Sequence, residues 1–134
     1  MTERRGQYPK EEHLKSKKQI DHLFEGGQIA KAYPLRAIFK WVDQIEEDVY
    51  IKAGVSVSKR KFKNAVDRNK VKRIMREALR YQKLLNEKRW KKEDKTLLIM
   101  FIYSSNEQPV LKQMDKCFAK SFRKIETANN KPKP

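Results

Sequence analysis

The nine residues 96–104, TLLIMFIYS, contain a long continuous apolar run. Side chains of a β-strand point alternately to the two faces of its sheet, so a strand that is apolar throughout must be covered on both faces. Only 38% of the 134 residues are hydrophobic, which is enough for one modest core. The run therefore predicts the central strand of a single small domain.

Other segments show the periods of helices and strands. Residues 16–25 have helical spacing, and Gly26 and Gly27 after them suit a C-terminal cap. Residues 35–42 and 49–59 alternate as strands do, and we expect them to form a long antiparallel hairpin across the polar DQIEED at 43–48. A second helix is expected from about residue 64 to Asn86, and a third has Pro109 in its first turn and runs to Ile125.

These elements follow the order α-β-β-α-β-α, which predicts an α+β fold, a two-layer sandwich of helices against a small mixed sheet. We expect residues 13–126 to form a single domain. Residues 1–12 are charged and lack periodicity, and residues 127–134 are polar and proline-rich. Both ends are therefore expected to be disordered.

The net charge of the chain limits the classes of molecule that it is expected to bind. Lysine and arginine total 33 against 17 acidic residues, a net charge of +16 with a pI near 10.0. Such a balance is typical of nucleic-acid-binding proteins. A membrane surface is the competing partner, but no apolar run approaches the roughly 20 residues of a membrane span. The N-terminal residues also lack the apolar core of a signal peptide, so we expect a cytoplasmic protein without a membrane partner.

The cations are concentrated in one segment. Residues 59–80 hold ten cations against Asp67 and Glu77, and the ten are Lys59, Arg60, Lys61, Lys63, Arg68, Lys70, Lys72, Arg73, Arg76 and Arg80. On a helical wheel, an apolar stripe comprises Val71, Ile74, Met75, Ala78 and Leu85, with Leu79 at its edge. The opposite side carries Asn69, Lys72, Arg73, Arg76, Arg80 and Lys83.

An ordinary solvated face is the simplest interpretation of such a helix. Solvated faces, however, usually interleave acidic and basic residues at i,i+4, whereas this face has nearly one sign. It is also rich in arginine, whose planar guanidinium pairs with phosphate in a bidentate manner. A phosphate backbone is therefore the expected partner, although the charge alone does not separate RNA from DNA.

The same segment resembles the bacterial ribonuclease P protein family. That family has a serine followed by two basic residues, a short spacer, and a segment of the form N-A-V-x-R-N-x-x-K-R-x-x-R-E. Here Ser58-Lys59-Arg60 precedes NAVDRNKVKRIMRE at 64–77, and GVSVSKR and LKSKKQIDHLFEGG are similar to the family's preceding strand and first helix. Two positions depart from the pattern: Lys70 stands where arginine is frequent, and Lys63 occupies a spacer that is one residue longer.

The resemblance implies a fold like domain 2 of ribosomal protein S5, with a left-handed β-α-β crossover ahead of the basic helix. It also implies a subunit of a ribonucleoprotein endonuclease, in which a catalytic RNA uses Mg²⁺ to remove the 5′ leader from precursor tRNA. The implied partners are ribonuclease P RNA and precursor tRNA, with no cofactor or metal held by the protein and a monomeric free state.

Two sets of residues follow from the resemblance. The set that docks on the catalytic RNA is Lys59, Arg60, Lys61, Lys63, Asn64, Arg68, Asn69, Lys70, Lys72, Arg73, Arg76 and Arg80. The set expected in a cleft for the single-stranded leader is Ile20, Phe24, Leu35 and Phe39. Apolar and aromatic side chains suit that role because every base has a face on which they can stack.

No residue pattern indicates a catalytic site on the protein itself. His13 and His22 have no nucleophile or acidic partner at suggestive spacing, and Glu46, Glu47 and Asp48 are more simply an acidic turn than a cation site. Cys117, the single cysteine, lies in an apolar helical pattern and is expected to be a buried structural thiol. A structural RNA-binding protein without processing activity and a DNA-binding protein remain alternatives.

Overall fold

The computed structural model describes residues 13–14, 16–43, 49–90 and 95–130. Within these ranges the chain forms three helices and four strands. In chain order they are α1 (Lys17–Gly26), β1 (Gln28–Ala32), β2 (Leu35–Asp43), β3 (Ile51–Val57), α2 (Ala65–Trp90), β4 (Lys95–Tyr103) and α3 (Leu111–Asn130).

The four strands form one mixed sheet in the order β1-β2-β4-β3. β4 pairs antiparallel with β2 and parallel with β3, so the apolar run at 96–104 is an inner strand, as predicted. Leu97, Ile99 and Phe101 are buried on one face of β4, and Leu98 and Met100 are buried on the other. The absence of polar residues from positions 97–102 of this strand is thus explained by its coverage on both faces.

The two faces of the sheet carry different helices. The larger core, on the face that bears Phe101, includes residues of α2 and α3 such as Met75 and Phe118. A smaller cluster on the other face joins Leu23 of α1 to Ile38, Leu98 and Met100. The predicted sandwich of helices against a mixed sheet is confirmed, and α1 adds partial cover to the second face.

The predicted hairpin between the second and third strands is wrong. β2 pairs with β1 and β4, and β3 pairs with β4 alone. β4 lies between β2 and β3, the inner position where both of its apolar faces are most completely covered. β3 and β4 are parallel, so they need a long crossover, which α2 supplies.

β1 is the strand that the sequence pattern missed. Its five residues, QIAKA, form an antiparallel hairpin with β2 through the turn at Tyr33 and Pro34, whose peptide bond is cis. The segment is short and only Ala30 and Ala32 are buried, so its alternation is too weak to identify. The element order is therefore the predicted one with one additional strand.

Several element ends also differ from the expected positions. α2 continues to Trp90 rather than ending near Asn86, and α3 begins at Leu111 because its first helical hydrogen bond runs from the Met114 amide to the Val110 carbonyl at 3.0 Å. Pro109 therefore precedes the helix. α3 also extends to Asn130, four residues into the segment expected to be disordered, while residues 1–12, 44–48 and 131–134 lie outside the described part of the chain.

Candidate nucleic-acid interface

The loop between β3 and α2 is fixed by one buried aromatic side chain and a tight turn. Phe62 is 7% exposed, and its ring centroid lies 6.2 Å from that of Tyr103 at the end of β4. The Ser58 carbonyl accepts hydrogen bonds from the amides of Lys61 and Phe62, at 3.2 and 3.0 Å. With its apolar residue turned inward, the loop exposes its cations, which are Lys59, Arg60, Lys61 and Lys63.

Arg68 ties this loop to the first turns of α2. One of its guanidinium nitrogens, Nη1, donates to the carbonyl of Phe62 at 2.8 Å and to that of Lys63 at 3.0 Å. Two backbone carbonyls are therefore satisfied by one cation, and the loop is held against the helix. Arg68 thus positions the cations around it, a role that sequence reasoning did not distinguish from direct phosphate contact.

The inner face of α2 follows the predicted apolar stripe at four positions. Val71, Met75, Ala78 and Leu79 are at most 1% exposed, and Ile74 is partly buried against the same core. These contacts fix the rotation of the helix about its axis.

The C-terminal half of α2 does not follow the prediction. Leu85, expected in the apolar stripe, is 59% exposed. Lys83, expected on the cationic face, is 7% exposed, and its Nζ lies 5.9 Å from the centroid of the Tyr50 ring. The cation–π contact and the apolar stem of lysine make this burial tolerable. The cationic face therefore belongs to the first four turns of the helix.

The outward face of those turns presents several of the predicted residues together. Asn64, Asn69, Lys70, Arg73 and Arg76 are exposed, and Lys72 is half-buried. Arg80, at the far end, is half-buried and forms an ion pair with Glu77, three residues before it. Glu77 thus partly neutralises Arg80, and the fully exposed cations of this segment all lie within residues 59–76.

The second candidate surface lies on the sheet face that α1 partly covers. Phe24 of α1 is 51% exposed, whereas Ile20 is half-buried against the smaller cluster. Leu35 and Phe39 are only 1% and 2% exposed, and both belong to the core beneath α2 and α3. Leu35 and Phe39 therefore cannot line a cleft between the sheet and α1, because they point to the opposite face of the sheet.

The alternation of β2 and β4 identifies the residues that do share the face with Phe24. Arg36 is exposed, and Lys40 and Ile102 are half-buried, each one position out of phase with the core residues. The Lys40 ammonium donates to Nε2 of His22 at 2.9 Å, so α1 and β2 are also linked by polar groups. Their alternation could be predicted from the residue pattern, but which phase faces α1 could not.

The described residues show neither a metal-binding group nor a membrane-spanning helix. Among them, no cluster of three or more histidine, cysteine or acidic side chains is placed to hold a metal ion. No helix in the same ranges is both long and apolar enough to cross a membrane. Glu46, Glu47 and Asp48 lie outside the described part of the chain.

Comparison with known proteins gives consistent matches over most of the chain. A family model described as Ribonuclease P matches residues 8–126. Two curated relatives, both the ribonuclease P protein component of Porphyromonas gingivalis from different strains, are each 32% identical to this chain over 123 residues. The matched region covers 92% of this chain and 88% of each relative.

Two solved structures of the Staphylococcus aureus RNase P protein have a similar fold. The first, at 20% identity, has a TM-score of 0.62 and covers 86% of this chain and 95% of the other. The second, a mutant at 19% identity, has a TM-score of 0.61 and covers 87% and 90%. These similarities concern the arrangement of helices and strands.

Proposed function

Because the chain belongs to the ribonuclease P protein family, we propose that it is the RNA-binding subunit of an endonuclease that removes the 5′ leader from precursor tRNA. In this proposal the catalytic RNA and its Mg²⁺ ions carry out the hydrolysis. The protein binds the RNA and helps to hold the substrate.

The observation that carries the proposal is the exposed cationic surface of residues 59–76. Its cations come from a loop that Phe62 and Arg68 fix in place and from a helix whose rotation is set by four buried side chains. Such a surface loses little conformational freedom of its backbone when it binds, and each neutralised phosphate releases counterions. Phosphate of a structured RNA is therefore a suitable ligand.

We assign the leader to the sheet face that bears α1. Phe24 offers an exposed ring for stacking on a base, and Arg36 and Lys40 on the same face can neutralise phosphates. Ile20, one helical turn before Phe24, packs against the smaller cluster. This assignment replaces Leu35 and Phe39 by residues in the opposite phase of the same strand.

Reconstitution tests the proposed function directly. The purified chain is added to a bacterial ribonuclease P RNA at low Mg²⁺, and removal of the leader from a precursor tRNA is measured. Stimulation of cleavage is expected because the protein reduces the charge repulsion between RNA and substrate. Binding of RNA without any stimulation would instead indicate a structural RNA-binding protein.

Two variants separate the two surfaces in the same assay. The double variant R73Q/R76Q should weaken binding to the catalytic RNA by roughly 10- to 30-fold at about 0.15 M salt if each arginine neutralises one phosphate. Phe24→Ala should leave that affinity unchanged and weaken the binding of precursor tRNA to the assembled enzyme, by about 1–3 kcal/mol per unstacked base. Mature tRNA, which lacks the leader, is the control ligand for Phe24→Ala.

A further inference from the structure

A second basic surface lies at the opposite edge of the sheet from β3. It is a groove of about 720 Å³ between the edge strand β1 and the C-terminal half of α3, and we call it the α3–β1 groove. Its lining residues are Gln28, Ile29, Ala30, Lys31, Phe39, Lys120, Arg123, Lys124 and Thr127. Four of these nine are cations, and none is acidic.

The cations of the groove are concentrated on one turn of α3. Lys120, Arg123 and Lys124 are all exposed, and they are spaced at i, i+3 and i+4, so they lie on one side of the helix. Like charges at this spacing destabilise a helix by a few tenths of a kcal/mol per pair. A bound polyanion would remove that repulsion.

The two walls of the groove are joined by a direct contact. The Lys124 ammonium donates to the backbone carbonyl of Lys31, and this bond holds α3 against the edge strand. Lys31 is exposed at the same edge, but it pairs with Arg36 in the sheet, so its side chain lies on the α1 face. The cations that face the groove are therefore those of α3, while the β1 wall contributes the Lys31 carbonyl. Ile29, which is 54% exposed and pairs with Ile38, provides apolar surface on the other face of the same edge strand.

We propose that the α3–β1 groove binds the phosphodiester backbone of a second RNA segment, separate from the segment on the cationic surface of residues 59–76. Charge complementarity favours a polyanion, and the elongated form of a groove between a helix and an edge strand suits a chain of phosphates. The described lining contains no exposed aromatic side chain for stacking, so the contact is with backbone rather than with bases.

The two surfaces lie at opposite edges of the sheet, so they contact different phosphates. β1 and β3 are the outer strands of a four-stranded sheet, about 14 Å apart at about 4.8 Å per strand. This exceeds the Debye length of about 8 Å at physiological ionic strength, so phosphates bound at one edge are largely screened from cations at the other. The RNA that supplies the second segment is either the catalytic RNA or precursor tRNA. Both of these identities rest on the proposed function.

The test compares two double variants of α3 that remove the same charge. K120Q/R123Q removes two exposed cations of the groove and leaves the contact between Lys124 and Lys31 intact. K112Q/K116Q removes two exposed cations from the N-terminal half of the same helix, outside the groove. Binding to ribonuclease P RNA, and binding of precursor tRNA to the assembled enzyme, are each measured as a function of salt concentration.

For one of the two RNAs, K120Q/R123Q should reduce the magnitude of the log–log salt slope by about 1.4–1.8 and the affinity by roughly 10- to 30-fold at about 0.15 M salt. An effect on the catalytic RNA assigns the segment to it, and an effect only on precursor tRNA assigns it to the substrate. K112Q/K116Q should leave both slopes unchanged, and K120R/R123K, which keeps both charges, should restore the affinity.

Three outcomes would overturn the proposal. Equal losses from K120Q/R123Q and K112Q/K116Q would mean that only total charge matters. Unchanged affinity for both RNAs would mean that no RNA backbone is bound in the groove. If K120Q/R123Q then also aggregated more than the native chain, the cations would instead protect the edge strand from pairing with other sheets. If K120Q/R123Q lost as much free energy of unfolding as free energy of RNA binding, the two residues would have a structural role. None of these results affects R73Q/R76Q, so failure of the groove and failure of the proposed function are distinguishable.

Discussion

Gly27 follows α1 at a point where the structure leaves no room for a side chain. Its amide donates to the Leu23 carbonyl at 2.7 Å and so caps the helix, as the sequence predicted. A Cβ at this position would lie 2.4 Å from the Leu23 carbonyl oxygen and 2.7 Å from Cγ2 of Ile38. Both neighbours are held in place, the first by the helix and the second by the smaller cluster.

Gly27→Ala is therefore expected to destabilise the protein by about 1–3 kcal/mol, the usual cost of overpacking. Urea denaturation followed by circular dichroism would measure the change. Gly26→Ala is the matched control, because its Cβ would meet only the far end of the Lys40 side chain, at 3.3 Å. Equal stability of the two variants would show that the α1 turn shifts freely on the sheet.

Cys117 is half-buried rather than fully buried, and its Sγ lies 3.9 Å from the Tyr33 carbonyl oxygen. Burial raises the pKa of its thiol, and the nearby Lys120 offsets this only in part. Since the thiolate is the reactive form, iodoacetamide should alkylate native Cys117 at neutral pH more slowly than the same residue in the urea-unfolded chain. A native rate equal to the unfolded rate would contradict a structural role for this thiol.

At the scale of elements, Arg68 and the exposed arginines of α2 have different tasks. Arg68 donates to two loop carbonyls, whereas Arg73 and Arg76 lie exposed on the outward face. Arg68→Gln should lower the free energy of unfolding by about 1.5–3 kcal/mol, because it removes hydrogen bonds from a charged donor. It should also weaken RNA binding, since the loop cations lose their fixed positions.

R73Q/R76Q should weaken RNA binding without changing the free energy of unfolding, because both side chains extend into solvent. Thermal denaturation and RNA titration of the two variants would separate positioning from contact. If Arg68→Gln kept the stability of the native chain and lost only affinity, Arg68 would be a contact residue like the other two.

At the scale of the whole molecule, the net charge of +16 opposes folding in the absence of a polyanion. Self-repulsion of a compact chain is screened by salt, so the midpoint of thermal unfolding should rise between about 0.01 and 0.15 M sodium chloride. Each kcal/mol of relieved repulsion should correspond to a rise of roughly 2–8 °C for a domain of this size. A midpoint that falls over this range would show that ion pairs outweigh the repulsion.

Much of the fold could be predicted because local patterns were strong. The apolar run at 96–104, the inner residues of α2 such as Val71 and Met75, and the glycine cap of α1 all lie where their patterns placed them. The density of cations at 59–80 likewise identified the candidate interface, because the charge of a side chain needs no tertiary information. β1 was not predicted, because only two of its five residues, both alanines, are buried and the segment therefore shows too little periodicity.

What the sequence by itself determined is therefore the identity and order of the strong elements and the sign of the surface they carry. Which strands pair, and which phase of β2 faces α1, was decided only in the tertiary structure. Leu35 and Arg36 alternate equally well in either orientation, and the choice depends on which face α2 and α3 cover. The placement of Lys31 beside Lys124, 93 residues apart, depends in the same way on the packing of α3 against the edge strand, because no local pattern records a contact between distant segments.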